Sequence, residues 1–283
     1  MDIKEWIGKR ENRSDSIAPE TLQRFEAMMD RDPSSITEGS ELPPCAHWCY
    51  FTPPVKRSDI AENGHPEQGD FLPPIEQPTR MWAGGKINFR KPMKTGVSAN
   101  RSSTINKIEE KEGKSGPLTF VEISHAISRG GSTLITEDQQ LVFRESTDKG
   151  AYPTREKPLD IDPDWTKSIT PDVVTLFRFS ALTFNAHRIR YDRDYAKNVE
   201  GYPDLVVHGP LLLVYLLDEY MKNSRNRVIR SLEYKMEGPI YLGEEINIHC
   251  GKGIDSKKSE LRITGPDNKL AMKADLEWGY NWD

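Results

Sequence analysis

Asp204-Leu-Val-Val-His-Gly-Pro-Leu-Leu-Leu-Val-Tyr-Leu-Leu-Asp-Glu-Tyr220 is the stretch of the sequence that decides the fold. From Pro210 to Tyr220 the residues are apolar on nearly every side of the helix that they predict. Such a helix must be buried all round rather than lie on a surface. We therefore expect a sheet that wraps around one central helix.

Short alternating or apolar runs, separated by Gly, Pro, Asp and Asn, predict strands on both sides of this helix. In each part of the chain the predicted helices precede the predicted strands, which is typical of an α+β protein. An antiparallel sheet wrapped around a central helix is the hot-dog fold. The predicted strands cover residues 87–90, 104–109, 118–126 and 133–144, and then 228–236, 245–250, 260–264 and 271–278.

The chain also repeats part of its own pattern. Ser16-Ile-Ala-Pro19-Glu-Thr-Leu-Gln-Arg-Phe25 and Ser168-Ile-Thr-Pro171-Asp-Val-Val-Thr-Leu-Phe177 share Ser, Ile, Pro, an acidic residue and Phe at equal offsets. Each predicts a helix that starts with Pro at its first position. Pro92-Met-Lys-Thr-Gly96 and Pro239-Ile-Tyr-Leu-Gly243 correspond in the same order. Two matches at similar separation indicate two similar halves.

We therefore predict a double hot-dog protein. Residues 1–148 form the first half and residues 149–283 the second, with the polar segment 145–167 as the linker between them. The region of the first half that corresponds to the apolar helix, residues 71–85, is rich in Pro and Gly. The second half is therefore expected to carry the chemistry.

The charge balance excludes several classes of partner. The formal net charge is -5, with 39 basic residues scattered among 44 acidic ones, which disfavours nucleic acid. No apolar run approaches the roughly 20 residues that cross a bilayer, and the first residues lack the features of a signal peptide. We expect no membrane association and a cytoplasmic location.

Three cysteines, Cys45, Cys49 and Cys250, are too few for a disulfide framework and fit a reducing compartment. Cys45-Ala-His47-Trp-Cys49 invites interpretation as a metal site. A fourth ligand at a recognisable spacing is missing, however. We therefore expect packed side chains there and no metal.

The most polar motif is Phe179-Ser-Ala-Leu-Thr-Phe-Asn-Ala-His-Arg-Ile-Arg-Tyr-Asp192, and Val206-Val-His-Gly209 follows it at the start of the apolar helix. Together these stretches resemble the MaoC-like hydratases and dehydratases. Trp82-Ala-Gly-Gly85 and Glu112-Gly-Lys-Ser-Gly-Pro117 resemble the FAS1-like dehydratase domain of a two-domain group. This group contains mesaconyl-C4-CoA and itaconyl-CoA hydratases and type 2 hydroxyacyl-thioester dehydratases. The resemblance covers nearly the whole chain and implies a double hot-dog hydro-lyase that acts on CoA or carrier-protein thioesters without a cofactor.

The sequence departs from the family pattern. Single-domain members carry an Asp and a His in a Gly-Asp-x-Asn-Pro-x-His run, and gapless alignment puts Asn185 at the Asp and Arg190 at the His. The two-domain group reads Asn-x-His-Arg-Ile-His-Tyr-Asp, so Asn185 and His187 match while Arg190 replaces the second His. If the first His of this pattern is the catalytic acid/base, the site is intact, because His187 is present. If the second His is, the catalytic group is lost, because Arg190 replaces it. We take His187 as the catalytic acid/base.

The chemistry of a thioester hydratase assigns roles to three of these residues. His187 suits proton transfer because an unperturbed imidazole has a pKa near 6.5. Asn185 is expected to orient the attacking water or the imidazole. Gly209 is the expected backbone donor to the thioester oxygen, since the first turn of a helix favours developing negative charge. Its missing side chain is expected to leave room for the thioester, and the resemblance implies the same role for this glycine.

The predicted substrate-binding residues surround these groups. Arg190 is expected to bind the carboxylate of the substrate, and Arg188 to clamp that carboxylate or the phosphates of CoA, because a guanidinium offers a planar fork. His208, Trp82 and Tyr191 complete the set. Each of these three also fits an ordinary packing or hydrogen-bonding role.

Three functions stay open on the sequence. The leading one is an enoyl-CoA hydratase that converts itaconyl-CoA or mesaconyl-C4-CoA to citramalyl-CoA, which needs an Arg facing the acyl end. The second is a 3-hydroxyacyl-thioester dehydratase of fatty-acid or polyketide metabolism, which needs a long apolar tunnel. The third is a non-catalytic acyl-CoA-binding protein, motivated by the missing His at position 190. Arg190 favours the first, and a homodimer is compatible with all three.

Overall fold

The computed structural model describes residues 2–113, 116–145, 152–224, 226–253 and 257–282. In this part of the chain the α-helices are α1 (Pro19–Met28), α2 (Val173–Leu182), α3 (Arg193–Asn198) and α4 (Gly209–Asn223). The strands are β1 (Arg10–Ser16), β2 (Thr79–Phe89), β3 (Ser98–Gly113), β4 (Gly116–Arg129), β5 (Ser132–Arg144), β6 (Trp165–Ile169), β7 (Val228–Met236), β8 (Ile246–Lys252), β9 (Lys258–Thr264) and β10 (Leu270–Gly279).

The strands form one antiparallel sheet of ten strands in the order β1-β3-β4-β5-β2-β7-β10-β9-β8-β6. We call β1 to β5 with α1 the N-terminal half, and β6 to β10 with α2 to α4 the C-terminal half. From the centre outward both halves have the same order, with their second strand innermost and their first strand outermost. The halves join where β2 pairs with β7, with Ile87 opposite Leu232. This repetition agrees with the two similar halves predicted from the sequence.

Helix α4 is the buried helix of the C-terminal half. Leu211, Leu212, Leu213 and Tyr220 are fully enclosed. The helix packs against β8, β9 and β10 of its own half. Between α1 and β2 the described residues contain only short 3-10 turns, so the N-terminal half has no counterpart of α4. One sheet therefore encloses one long apolar helix, as the sequence predicts.

The two repeated helix starts differ in detail. Pro19 opens α1 as predicted. Helix α2 begins two residues after Pro171, at Val173, so the expected opening by this proline is wrong. The carboxylate of Asp172 caps α2 instead and accepts the backbone N–H of Thr175 at 2.8 Å. A side-chain cap satisfies a free N–H of the first turn, which proline cannot do.

Strand β2 is longer than the sequence indicates. The predicted strand of residues 87–90 begins already at Thr79, so the glycine-rich stretch from Trp82 to Gly85 lies in a strand. A Cβ on Gly84 would lie 2.7 Å from the carbonyl oxygen of Tyr234 on β7. These glycines permit the close approach of neighbouring strands rather than a loop, which is a known role of glycine inside sheets.

The predicted linker of residues 145–167 extends too far. Trp165 at the start of β6 pairs with Cys250 of β8, and Pro158 forms an isolated bridge with Lys269. The chain has therefore joined the C-terminal half before the predicted linker ends. The predicted boundary between residues 148 and 149 lies outside the described residues and stays a prediction.

The Cys45 to Cys49 segment packs around a buried carboxylate. The Nε2 atom of His47 lies 3.0 Å from Glu137, and the indole N–H of Trp48 donates to the same carboxylate. All three cysteine thiols are free and buried. Within the described ranges no three His, Cys, Asp or Glu side chains are grouped as metal ligands. In the same ranges no helix combines the length and the hydropathy of a bilayer span.

Candidate active site

The turn after α2 presents the predicted catalytic histidine. Helix α2 ends at Leu182, and Phe184 takes a left-handed conformation with φ of 51°. The N–H of Asn185 donates to the carbonyl of Ser180 at 2.8 Å, and its side-chain oxygen accepts the N–H of His187 at 3.1 Å. Asn185 therefore orients His187 by fixing the backbone of the turn.

His187 is buried and faces a carboxylate. Its Nε2 atom lies 3.8 Å from Glu200 Oε1. Burial lowers the pKa of His187 to about 4, with Glu200 opposing this shift and Arg190 and Arg80 adding to it. The ring is therefore neutral at pH 7. Because a carboxylate faces Nε2, we assign the ring proton to that atom, which leaves the Nδ1 lone pair free to accept a proton.

A second histidine, from the N-terminal half, lies beside His187. The rings of His65 and His187 have centroids 4.2 Å apart at an angle of 42°. Arg80 of β2 donates from Nη2 to His65 Nδ1 at 2.7 Å. Burial and the charge of Arg80 hold the pKa of His65 well below its usual range. His65 is therefore neutral, and we assign its proton to Nε2 because Nδ1 accepts from the guanidinium.

The loop that carries His65 is bound to the C-terminal motif. The carbonyl of Asn63 accepts the backbone N–H of Arg188 at 2.9 Å, and the carbonyl of Glu62 accepts from its guanidinium at 3.3 Å. The two halves therefore both contribute to the walls around His187.

Arg190 contacts the residues that come just before the start of α4. Its Nη1 atom donates to the carbonyls of Val206 at 2.7 Å and Val207 at 3.0 Å. Its Nε atom is buried and has no hydrogen-bond partner in the structure. Burial lowers the pKa of Arg190 to about 10, so the side chain keeps its charge at neutral pH. The guanidinium therefore retains donors for an anionic group.

His208 occupies the N-cap position of α4, directly before Gly209. Its Nε2 atom lies 2.8 Å from the hydroxyl of Ser180, and its Nδ1 atom is buried without a partner. Burial and the charge of Arg190 hold the pKa of His208 well below its usual range. A neutral imidazole with one free nitrogen therefore lies at the N-terminus of the helix.

The space beside Gly209 holds an indole ring. A Cβ on Gly209 would lie 2.7 Å from Cε3 of Trp82 and 3.2 Å from the sulfur of Met236. Trp82 also stacks on Tyr234 with ring centroids 4.5 Å apart. The missing side chain of Gly209 therefore makes room for the Trp82 ring, whereas the sequence predicts that it makes room for the thioester. Trp82 forms a wall against the first turn of α4.

Arg188 and Tyr191 already have partners outside this cluster. Arg188 forms an ion pair with Asp192 at 2.8 Å and lies over the ring of Tyr195. Tyr191 is half exposed, and its hydroxyl donates to the carbonyl of Ala186 at 3.1 Å. The structure thus brings His187, Arg190, His208, Gly209 and Trp82 together and leaves these two side chains at the rim.

Sequence analysis missed three members of the site. Glu200 follows the short helix α3, His65 lies in an irregular loop, and Arg80 lies in a strand that starts earlier than predicted. A correct start for β2 would have set Arg80 and Trp82 two residues apart on the same face of a strand. No local pattern marks His65 or Glu200, because only the packing of the halves brings them to His187.

The cluster combines neutral bases with unbalanced positive charge. Three imidazoles have lowered pKa values, and Arg80 and Arg190 contribute to those shifts. Glu200 supplies the opposing charge. A neutral base beside a helix N-terminus and two guanidiniums is suited to proton transfer on an anionic substrate.

The family profile described as hydroxyacyl-thioester dehydratase type 2 matches residues 45–242. The sequence is 38% identical over 281 residues to a mesaconyl-C4-CoA hydratase from Chloroflexus aurantiacus, with 98% of each protein aligned.

Solved structures share the fold. A MaoC-like dehydratase from Phytophthora capsici superposes with a TM-score of 0.72 at 13% identity over 99% of each chain. A conserved protein of Mycobacterium tuberculosis, described as having a double hot-dog fold, superposes with a TM-score of 0.59 at 8% identity over 96% of each chain. The predicted double hot-dog fold is confirmed. Because the profile spans most of the fold and the hydratase aligns over nearly its whole length, the chain belongs to the hydroxyacyl-thioester dehydratase type 2 family, a family of hydro-lyases.

Proposed function

We propose that the protein is a CoA-thioester hydratase that adds water reversibly to a short unsaturated dicarboxylyl thioester. The observation that carries this proposal is the buried, neutral His187, whose Nε2 faces Glu200 and whose neighbour Arg190 keeps an unpaired Nε. The likeness to a mesaconyl-C4-CoA hydratase supports the same reaction class.

The reaction requires a base, an acid and a site for negative charge. The Nδ1 atom of His187 takes a proton from water as the water oxygen bonds to the β carbon. The electrons of the double bond move toward the thioester carbonyl, whose oxygen gains negative charge. The free N–H groups of the first turn of α4, that of Gly209 first, stabilise this charge. The imidazolium of His187 then returns a proton to the α carbon, which restores the neutral base.

The proposed substrate carries a free carboxylate. Arg190 binds this group through the donors that its contacts with Val206 and Val207 leave unused. Itaconyl-CoA and mesaconyl-C4-CoA meet this requirement, and each gives citramalyl-CoA on hydration. The steps above are those of mesaconyl-C4-CoA, whose double bond is conjugated with the thioester carbonyl. The reaction moves only water and protons, so the named side chains supply the groups that it needs. A cytoplasmic location and a homodimer stay predictions of the sequence.

The test is hydration of itaconyl-CoA, mesaconyl-C4-CoA and crotonyl-CoA, followed by loss of the enoyl thioester absorbance. We expect turnover of the dicarboxylyl thioesters and a loss of at least about 100-fold in kcat for His187→Gln, the size of a typical acid/base contribution. Arg190→Gln is expected to raise KM for these substrates. Arg178→Gln, which removes an exposed guanidinium on α2, is the matched control and is expected to match the wild type.

Two other outcomes would overturn the proposal. A preference for crotonyl-CoA would favour a type 2 hydroxyacyl-thioester dehydratase of fatty-acid or polyketide metabolism. Binding of CoA thioesters without any turnover would favour a non-catalytic acyl-CoA-binding protein, in which Arg190 has replaced an essential histidine.

A further inference from the structure

We propose that Arg80 and Arg190 form a carboxylate clamp across the two halves, in which Arg80 is a specificity-determining residue for the free carboxylate of the substrate. This inference deepens the proposed function and rests on it for the ligand, a CoA thioester with a free carboxylate.

Arg80 lies on the wall that the N-terminal half contributes to the site. It is two residues from Trp82 on β2, and residues two apart on a strand point to the same face of the sheet. Trp82 reaches Gly209 at the start of α4. Arg80 in turn reaches His65, whose ring lies on that of His187. The same face of β2 therefore contacts both the helix N-terminus, through Trp82, and the histidine that packs on the proposed base, through Arg80.

The guanidinium of Arg80 lacks a carboxylate partner. Of the residues that the structure describes, none places an Asp or Glu oxygen within ion-pair distance of it, and its one side-chain hydrogen bond among them is to the neutral His65. Burial lowers the pKa of Arg80 to about 10, so it stays charged at pH 7. Arg80 is only partly exposed, whereas two buried arginines are paired, Arg155 with Glu244 and Arg262 with Asp160. A charge that is partly shielded from water and has no carboxylate partner is suited to bind an anionic ligand.

Arg190, near the same two imidazoles, also lacks a carboxylate partner. No carboxylate in the described ranges lies within ion-pair distance of its guanidinium, and its Nε has no partner. Both guanidiniums lower the pKa of His187 and of His65, so both lie close to the two rings. A carboxylate bound between them would neutralise two charges with one group, in the planar forked geometry that arginine favours.

The clamp fits the acyl end of the substrate rather than the nucleotide end. It adjoins His187, which must reach the carbons of the double bond. The pantetheine arm separates these carbons from the phosphates of CoA. An anion that reaches both His187 and the clamp therefore belongs to the acyl group, which makes the substrate class a thioester with its carboxylate close to the double bond.

The test measures binding, so that it does not depend on turnover. Succinyl-CoA and butyryl-CoA have acyl chains of the same length and differ by a terminal carboxylate. Isothermal titration with wild type, Arg80→Gln and the exposed control Arg178→Gln gives the ratio of the two Kd values. We expect the wild type and the control to bind succinyl-CoA at least about 10-fold more tightly than butyryl-CoA. In Arg80→Gln, which keeps Arg190, we expect most of that preference to be lost while the Kd for butyryl-CoA stays unchanged.

The unchanged Kd for butyryl-CoA separates the clamp from a structural role of Arg80, and one further variant tests the geometry of the clamp. Arg80→Lys keeps the charge without the fork and is expected to lose most of the preference, which provides a reading even if Arg80→Gln does not fold. The inference is wrong if the wild type shows no preference for succinyl-CoA, or if Arg80→Gln and Arg80→Lys retain that preference. If the wild type hydrates the dicarboxylyl thioesters but Arg80→Gln keeps the preference for succinyl-CoA, the clamp is wrong and the proposed function stands. If Arg80→Gln loses the preference but the wild type hydrates none of these thioesters, the proposed function is wrong and the clamp stands.

Discussion

Gly64 lies so close to Ala186 that a methyl group on Gly64 would be 1.8 Å from the carbonyl oxygen of Ala186. Gly64 also has a φ of 88°, which disfavours other residues. This contact presses the loop of the N-terminal half against the turn that carries His187. The position of His65, next in the chain, depends on it.

We therefore predict that Gly64→Ala lowers stability and activity by more than the strain of a positive φ alone would. Gly69→Ala is the matched control, because Gly69 has a φ of 106° but nothing within 4 Å of an added Cβ. Both variants carry the penalty of a positive φ, and only Gly64→Ala adds the collision. The expected difference in the free energy of unfolding is at least about 1 kcal/mol, measured by urea denaturation. Equal losses in both variants would mean that the loop moves away from Ala186 without cost.

Glu200→Gln is predicted to change the pH dependence of hydration. Neutral His187 is the proposed base, so kcat/KM in the wild type should fall only as the pH drops toward about 4. The Glu200 carboxylate favours the protonated ring, and its removal lowers the pKa of His187 further. The acid limb of the kcat/KM profile should therefore move to lower pH, while kcat falls about 10-fold because the ring loses its orienting partner. An acid limb that moves to higher pH would contradict this electrostatic role.

Gly209→Ala is predicted to destabilise the fold by about 1–3 kcal/mol, because its Cβ would overlap the Trp82 ring. Trp82→Phe shortens that ring, so the double variant should lose less stability than the sum of the two single variants. Thermal or urea unfolding of the four proteins gives the coupling energy. Additive losses would show that Trp82 is not what limits the space at Gly209.

Acid is predicted to destabilise the protein through its buried histidines. The pKa of His187 is lowered to about 4 in the folded state, and those of His65 and His208 are also lowered. The unfolded chain binds protons near pH 6.5, so stability is complete above that value and is lost as the pH falls toward 4. His187 alone should account for about 2 kcal/mol between pH 7 and pH 5. Urea unfolding at both pH values should show a smaller loss in His187→Gln, and an identical loss would refute the assignment.

Much of the fold was predictable because its signals are local. The strand predicted at residues 228–236 coincides with β7, and the apolar pattern that starts at Pro210 marks α4. The start of β2 was missed because Gly84 and Gly85 look like a turn in the sequence. Glycine is needed at these two positions because Tyr234 and Asp138 approach from the neighbouring strands. A local sequence pattern carries no information about that approach.

The candidate site divides in the same way. His187, Arg190 and His208 lie within a short stretch of the chain and were found from the motif and the helix start. His65 and Arg80 come from the other half, and their importance arises only from a ring contact and an unpaired charge. Site residues that lie in one segment of the chain can be predicted from a local sequence motif. Site residues that come together only when the two halves pack cannot.

The pairing of β2 with β7 inside one chain also bears on how such a site can evolve. In a symmetric dimer of identical subunits every substitution appears twice, and a strand that changes to suit one site changes the second site as well. Here the two central strands are encoded separately, so a substitution at Arg80 of β2 leaves the sequence of β7 unchanged. Covalent joining of the halves therefore allows new substrate selectivity to arise by single mutations, each tested by selection in one place only.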